Sequence, residues 1–266
     1  MWSKESMFNL YRGLRQLNLF FVALSFFTRL PIPSWVVIDA EKLNQSSRYF
    51  GVVGLAIGLI SGLIFWLAQL VLPANIAVLL AMVAGVLATG AFHEDGLADT
   101  ADGFGGGWTV EDKLRIMKDS RLGSYGALAI GLALLLKWQL LVELALYSPM
   151  AAISGFVVAH TLSRVLAASL IFSEKYVRDD SGKSKPLAQQ QSFNDLLILL
   201  ASGLFVLLWL NGVAAFALFI ILWCVRFLLG SLFRRQIGGY TGDTLGAAQQ
   251  VNEIVCYLVI SVVRLS

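Results

Sequence analysis

Three aspartates, Asp95, Asp99 and Asp102, stand at i, i+4 and i+7 in the run His93-Glu-Asp-Gly-Leu-Ala-Asp-Thr-Ala-Asp-Gly103. On a helix that spacing puts three carboxylates on one face. Like charges so placed repel, and no Lys or Arg occurs from residue 49 through 112 to neutralise them. A stripe of hard oxygen donors without a local counter-charge suits Mg2+, Mn2+ or Ca2+. The plainer alternative is a solvated acidic loop. The small apolar spacers Leu97, Ala98 and Ala101 speak against it. Gly96 and Gly103 each follow an acid and would let a bulky ligand approach the backbone.

Basic residues follow the acids: Lys113, Arg115, Lys118 and Arg121. Acids, a divalent metal and Lys/Arg are the recurring parts of phosphoryl transfer. Lys118 and Arg121, beside Asp119 and just before Gly123, are the counter-charges an anionic substrate needs. Lys113 and Arg115 read more simply as a solvated helix face. Gly103-Phe-Gly-Gly-Gly107 has the composition of a phosphate cradle, but no strand precedes it and no Lys-Ser/Thr closes it. A flexible connector is the simpler reading. A second polar cluster runs from Gly238 to Gly246. Its Thr241, Asp243 and Thr244 would sit at a helix N-terminus, where caps belong and phosphate binds. His93 could bind phosphate, carry a proton or serve as a hydrogen-bonded structural residue.

These residues are positioned by a chain that cannot be water-soluble. Of its 266 residues 58% are apolar and 14% charged, about half the usual charged share of roughly 25%. A soluble globule of this size could not cover so much apolar surface. The net charge of +3 includes no basic block dense enough to track a nucleic-acid backbone. Cys224 and Cys256 sit in apolar runs without metal-binding spacing. Six segments are long and apolar enough to span a bilayer: 51–72, 74–92, 126–147, 149–172, 212–230 and 246–264. A seventh, 195–210, is shorter and pairs with the next across Asn211-Gly212.

Residues 17–30, ending before Pro31, would reach only about 21 Å as a helix, so an interfacial or re-entrant segment is expected. The expected fold is therefore all-α: one domain over 1–266, a polytopic membrane bundle of about seven transmembrane helices plus that N-terminal helix. Segments 1–50, 93–125, 173–194 and 231–245 carry 16 of the 20 Lys/Arg, which puts them in the cytoplasm, with the N-terminus inside and the C-terminus outside. The stretch 181–191 reads as a solvated loop. Gly51, Gly54, Gly58 and Gly62 predict close helix contact; they leave a homo-oligomer open without requiring one. Lys137, Glu143, His160, Arg164 and Arg226 lie within spans and are costly unless paired or wetted. His160 and Arg164 share a face, with Arg164 nearer the acidic end.

At these residues the chain resembles the cobalamin synthase family, the adenosylcobinamide-GDP ribazoletransferases. The likeness is carried by 92–103, by Arg115-Ile-Met-Lys-Asp-Ser-Arg-Leu-Gly123, by Gly239-Tyr-Thr-Gly-Asp-Thr-Leu-Gly-Ala247 and by Phe27-Thr-Arg-Leu-Pro-Ile-Pro33. It covers essentially the whole chain. The resemblance implies a Mg2+-dependent enzyme of the bacterial inner membrane with its active site on the cytoplasmic side. Its substrates would be adenosylcobinamide-GDP and α-ribazole, or α-ribazole 5′-phosphate, and its products adenosylcobalamin, or its 5′-phosphate, and GMP.

On that reading Asp95, Asp99 and Asp102 hold Mg2+ on the diphosphate. Asp119 is a further ligand or the base for the ribose hydroxyl, with His93 and Asp102 beside it in catalysis. Lys118, Arg121 and Arg164 meet phosphate, and Thr241, Asp243 and Thr244 form a second substrate wall. A looser likeness runs to CDP-alcohol phosphotransferases, whose D-x-x-D-G is matched at Asp99–Gly103, although the Ala-Arg that should follow is absent. An ion-coupled transporter using the in-span charges is the rival from another class. Acids gathered at one edge, and no visible repeat, weigh against it.

Overall fold

The computed structural model describes residues 4–177 and 189–265, and side chains over 13–177 and 189–263. The expected loop at 181–191 lies largely outside the described residues. In chain order the helices are α1 (Lys4–Phe27), α2 (Ala40–Ser46), α3 (Phe50–Ala68), α4 (Ala74–Thr89), α5 (Phe92–Gly106), α6 (Val110–Ile116), α7 (Ser124–Tyr147), α8 (Pro149–Ser173), α9 (Phe193–Leu207), α10 (Gly212–Ile237) and α11 (Gly242–Leu265). Among the described residues there is no strand beyond one isolated bridge, Tyr176 to Tyr240. The all-α membrane bundle expected from the sequence is what forms.

Five helices are long and apolar enough to cross a membrane: the one ending at Ala68, α7, α8, α10 and α11. The pair α4 and α5 makes a sixth as a broken span or re-entrant loop, bent by 85°. The expected seventh, α9, has 15 residues, only about 22 Å of rise. It is a shorter apolar helix, as is the Gly13–Phe27 part of α1.

Helix α8 is the hub. The apolar window within it is 89% buried, because Ala, Ser and Gly on all its sides let neighbours close in. Helix α3 lies along it through the glycine stripe. A Cβ at Gly58 would stand 2.7 Å from the Val157 Cα, and one at Gly54 would overlap the His160 carbonyl. The stripe thus packs one helix of this chain on another. Helices α7 and α10 keep most of their apolar surface outward, with 28% and 22% of their windows buried.

The polar connections converge at one end of the bundle. Arg29 N–H donates to the Ala88 carbonyl at 2.8 Å, Tyr240 N–H to Lys175 at 2.8 Å, and Lys113 to Gln236 at 2.6 Å. Arg48 pairs with Asp195 at 2.5 Å, joining the start of α3 to that of α9. The in-span Arg226 is paired as its cost demands: its guanidinium donates to Ser169 and Ser173 of α8.

Candidate active site

The acids are aimed by a sharp turn. Gly90 and Ala91 both take left-handed backbone, with φ of 66° and 60°, and this swings the chain from α4 into α5. Glycine adopts that conformation freely; for Ala91 it costs about 1 kcal/mol or more. The N-terminal motif braces the turn. The Arg29 guanidinium covers Gly90 so closely that any Cβ there would overlap it, and Phe27 stacks on His93 with centroids 5.3 Å apart.

Helix α5 then carries the whole acidic motif, so the carboxylates at 95, 99 and 102 do follow one face of a regular helix. Asp95 is exposed, Asp99 half-buried and Asp102 buried. Both Asp102 oxygens are engaged: Gly123 N–H donates at 2.7 Å and Gly126 N–H at 2.8 Å. These are amides at the N-terminus of α7, so a carboxylate from another helix caps it and meets its positive dipole end.

The glycine run after the acids is neither cradle nor flexible connector. Gly103, Gly105 and Gly106 form the last turns of α5. Gly105 packs against the Tyr125 ring, with 2.6 Å from a built Cβ to Cγ, and Gly107 against Lys113.

Asp102, Arg115, Asp119, Arg121 and Tyr125 line a hollow of about 440 Å³. Arg121 grips Asp119 with Nη2 at 2.6 Å and Nε at 3.1 Å. Those bonds hold the Asp119 carboxyl down at about 2 and push the guanidinium up. Arg115 stands on the exposed face of α6 as expected, paired with Asp112 at 3.1 Å, and it also borders the hollow; Lys118, equally exposed, lies outside its lining.

The second motif arrives on α11. Gly96 and Gly246 meet backbone to backbone: a Cβ on Gly246 would stand 3.2 Å from the Gly96 Cα, and one on Gly96 2.8 Å from the Asp243 carbonyl oxygen. Half-buried Asp243 is thereby set beside α5. Thr241 and Thr244, expected as substrate wall, are wholly buried and spent on each other. Thr241 N–H donates to Thr244 Oγ1 at 2.8 Å and Thr244 N–H to Thr241 Oγ1 at 3.3 Å, a reciprocal cap of α11.

Behind α5 lies a buried ionic cluster that the sequence reading caught only in part. Lys137 of α7 pairs with Glu253 of α11 at 2.9 Å and donates to Gln250 at 2.9 Å; Gln250 donates to Glu94 of α5 at 3.0 Å. Glu253 also meets His160 at 3.6 Å, and Arg164 donates to the His160 carbonyl at 3.0 Å. Glu94 Oε2 and Arg164 Nε have no protein partner. Both residues line a cavity of about 20 Å³, room for one water.

His93 and Arg164 are thus brought together in the interior, each 3% exposed, and not into the hollow. Glu94, Gln249, Gln250 and Glu253 were missed. The available signal was Gln249-Gln250 and Glu253 one turn apart inside an apolar span.

For a divalent ion, the donors on α5 are of the right kind, carboxylates alone, and each Asp102 oxygen keeps a lone pair beyond its amide bond. In their present arrangement no three His, Cys, Asp or Glu side chains among the described residues are gathered tightly enough to hold one.

Fold and site together define a multi-pass helical membrane protein, with acidic and basic groups collected at one end of its bundle. The model of the cobalamin-5-phosphate synthase family matches residues 19–261, and the chain belongs to that family. It is 80% identical to the adenosylcobinamide-GDP ribazoletransferase of Shewanella frigidimarina over 256 residues, 96% of this chain and 98% of the relative. The enzyme of the same name from Shewanella denitrificans is 70% identical over 261 residues, 98% of this chain and 100% of the relative. That of Shewanella baltica is 67% identical over 250 residues, 94% and 95% of the two chains. No solved structure matches.

Proposed function

We propose that this chain joins adenosylcobinamide-GDP to α-ribazole, or to α-ribazole 5′-phosphate, and releases GMP. The supporting observation is the glycine-on-glycine contact at Gly96 and Gly246, which sets the two polar motifs side by side. Relatives 80%, 70% and 67% identical that carry this activity in their name support the choice of substrates.

In the reaction, the ribose hydroxyl oxygen bonds to the phosphorus that carries cobinamide. The bridging P–O bond breaks, GMP leaves with the bridging oxygen, and the hydroxyl proton is released. Arg121 and Arg115 neutralise phosphate oxygens from the side of the hollow. Asp119, held ionised at about 2 by Arg121, is too weak a base to take the proton efficiently; it fixes the guanidinium instead. A loose phosphoryl-transfer transition state asks chiefly for positioning and charge neutralisation.

Asp95 and Asp99, with the remaining lone pairs of Asp102, would hold Mg2+ by closing on it from their present, more open arrangement. When bound there, the ion supplies neutralisation of the diphosphate. The Lys/Arg-rich end of the bundle faces the cytoplasm of a bacterial inner membrane.

Purified protein in liposomes, given Mg2+, adenosylcobinamide-GDP and α-ribazole, should yield stoichiometric GMP and a cobalamin by mass. Activity on a CDP-alcohol donor instead would replace this reading with head-group transfer.

A further inference from the structure

Tyr125 is the second residue of α7 and is absorbed by none of the roles above. Its ring lies on Gly105. A Cβ built on that glycine would stand 2.6, 2.8 and 2.8 Å from the ring's Cγ, Cδ1 and Cδ2. Near-equal distances to three ring atoms mean that Gly105 meets the face of the ring and not its edge. One face is therefore seated on bare backbone. The residue is still 54% exposed, so Gly105 leaves much of the ring open. Tyr125 lines the hollow that Arg115, Arg121 and Asp102 share, and about 440 Å³ is within the range of small-molecule sites. A planar apolar face beside two guanidinium groups matches a nucleotide, whose flat base lies a ribose away from its phosphates.

We infer that Tyr125 is the stacking platform for the purine base of the nucleotide released in the reaction. This deepens the function proposed above and rests on it. Stacking accepts any base, because every base has a π-face. The platform therefore supplies affinity for the nucleoside end without by itself choosing guanine. Gly105 is part of the device, since any side chain there would lift the ring from its seat.

The test is equilibrium binding of GMP and, separately, of inorganic phosphate to the full-length protein in liposomes, together with KM and kcat for GMP release. Tyr125→Ala should weaken GMP by about 5- to 150-fold, leave inorganic phosphate unchanged and raise KM more than it lowers kcat. Tyr125→Phe should bind GMP as the native protein does. Gly105→Ala, which displaces the ring without removing it, should reproduce the loss. Unchanged GMP binding in Tyr125→Ala and Gly105→Ala overturns the platform. So does equal loss of GMP and phosphate, or loss in Tyr125→Phe, each of which makes the ring a membrane-interface or scaffold residue. Native protein that releases no GMP from adenosylcobinamide-GDP overturns the proposed function itself, a result separable from failure of the platform.

Discussion

Gly96 of α5 and Gly246 of α11 touch with no side chain between them, 3.2 Å from the Cα of one to where the other's Cβ would be. The contact joins two motifs about 150 residues apart in the sequence. The requirement for glycine is strictest at Gly96, where a Cβ meets the Asp243 backbone that this crossing holds beside α5. Gly96→Ala forces a Cβ to within 2.8 Å of the Asp243 carbonyl and must push the helices apart. A shift of about 1 Å costs on the order of 100-fold in a positioned reaction. GMP release should fall by that order in Gly96→Ala, with overpacking destabilising the fold by about 1–3 kcal/mol. Native turnover in this variant would show that the crossing does not set the site.

Asp102 and Asp95 should separate in their effects on stability. Asp102 answers two amides at the start of α7. Removing a carboxylate that satisfies buried donors costs about 1–3 kcal/mol, so Asp102→Ala should lower the thermal unfolding midpoint in detergent as well as activity. Asp95 is exposed, and its replacement by Asn should change stability by no more than about 0.5 kcal/mol while still lowering activity. Equal stability of the two variants would contradict the capping role.

The buried cluster behind α5 should behave as a coupled unit. Lys137→Met strands Glu253, which is 2% exposed, and loss of one partner in a buried pair costs about 3–5 kcal/mol. Adding Glu253→Gln to Lys137→Met should recover part of that loss, with a coupling of about 0.5–3 kcal/mol in the double-mutant cycle. Strict additivity would mean that the two side chains do not interact.

Asp119 sets a pH expectation. Its carboxyl is held at about 2 by Arg121, below the ordinary value near 3.9. A depressed carboxyl stabilises the fold above that ordinary value, and the contribution is lost only as pH falls toward 2. Between about pH 5 and 9 the group stays ionised, so Asp119→Asn should change the height of the pH–rate profile and leave its inflections where they are. A displaced acid inflection would return Asp119 to the role of base.

The helical architecture was legible because apolar length and Gly/Pro punctuation report directly on spans. The shared face of Asp95, Asp99 and Asp102 was legible because i, i+4, i+7 spacing has one meaning on a helix. What resisted was everything fixed by tertiary contact. Gly105 looks like loop in sequence, yet it continues α5 with the Tyr125 ring against it. Thr241 and Thr244 have hydroxyls suited to a substrate, yet each satisfies the other's backbone. Arg115 and Lys118 are both basic residues of one short stretch, and only the path of α6 into α7 brings the first to the hollow and leaves the second outside it. Gln249-Gln250 and Glu253 mark a polar face in an apolar span, but which cation answers Glu253 is fixed only by the packing that brings Lys137 opposite it.

The most direct test is single-turnover GMP release by Asp99→Asn in liposomes, with unfolding measured on the same preparation and native protein assayed with and without a metal chelator. Loss of at least about 100-fold in a protein that unfolds like the native one, matched by loss of native activity in chelator, is expected if the carboxylate face of α5 carries the diphosphate through a divalent ion. Turnover within a few-fold of native, or full activity in chelator, would contradict it.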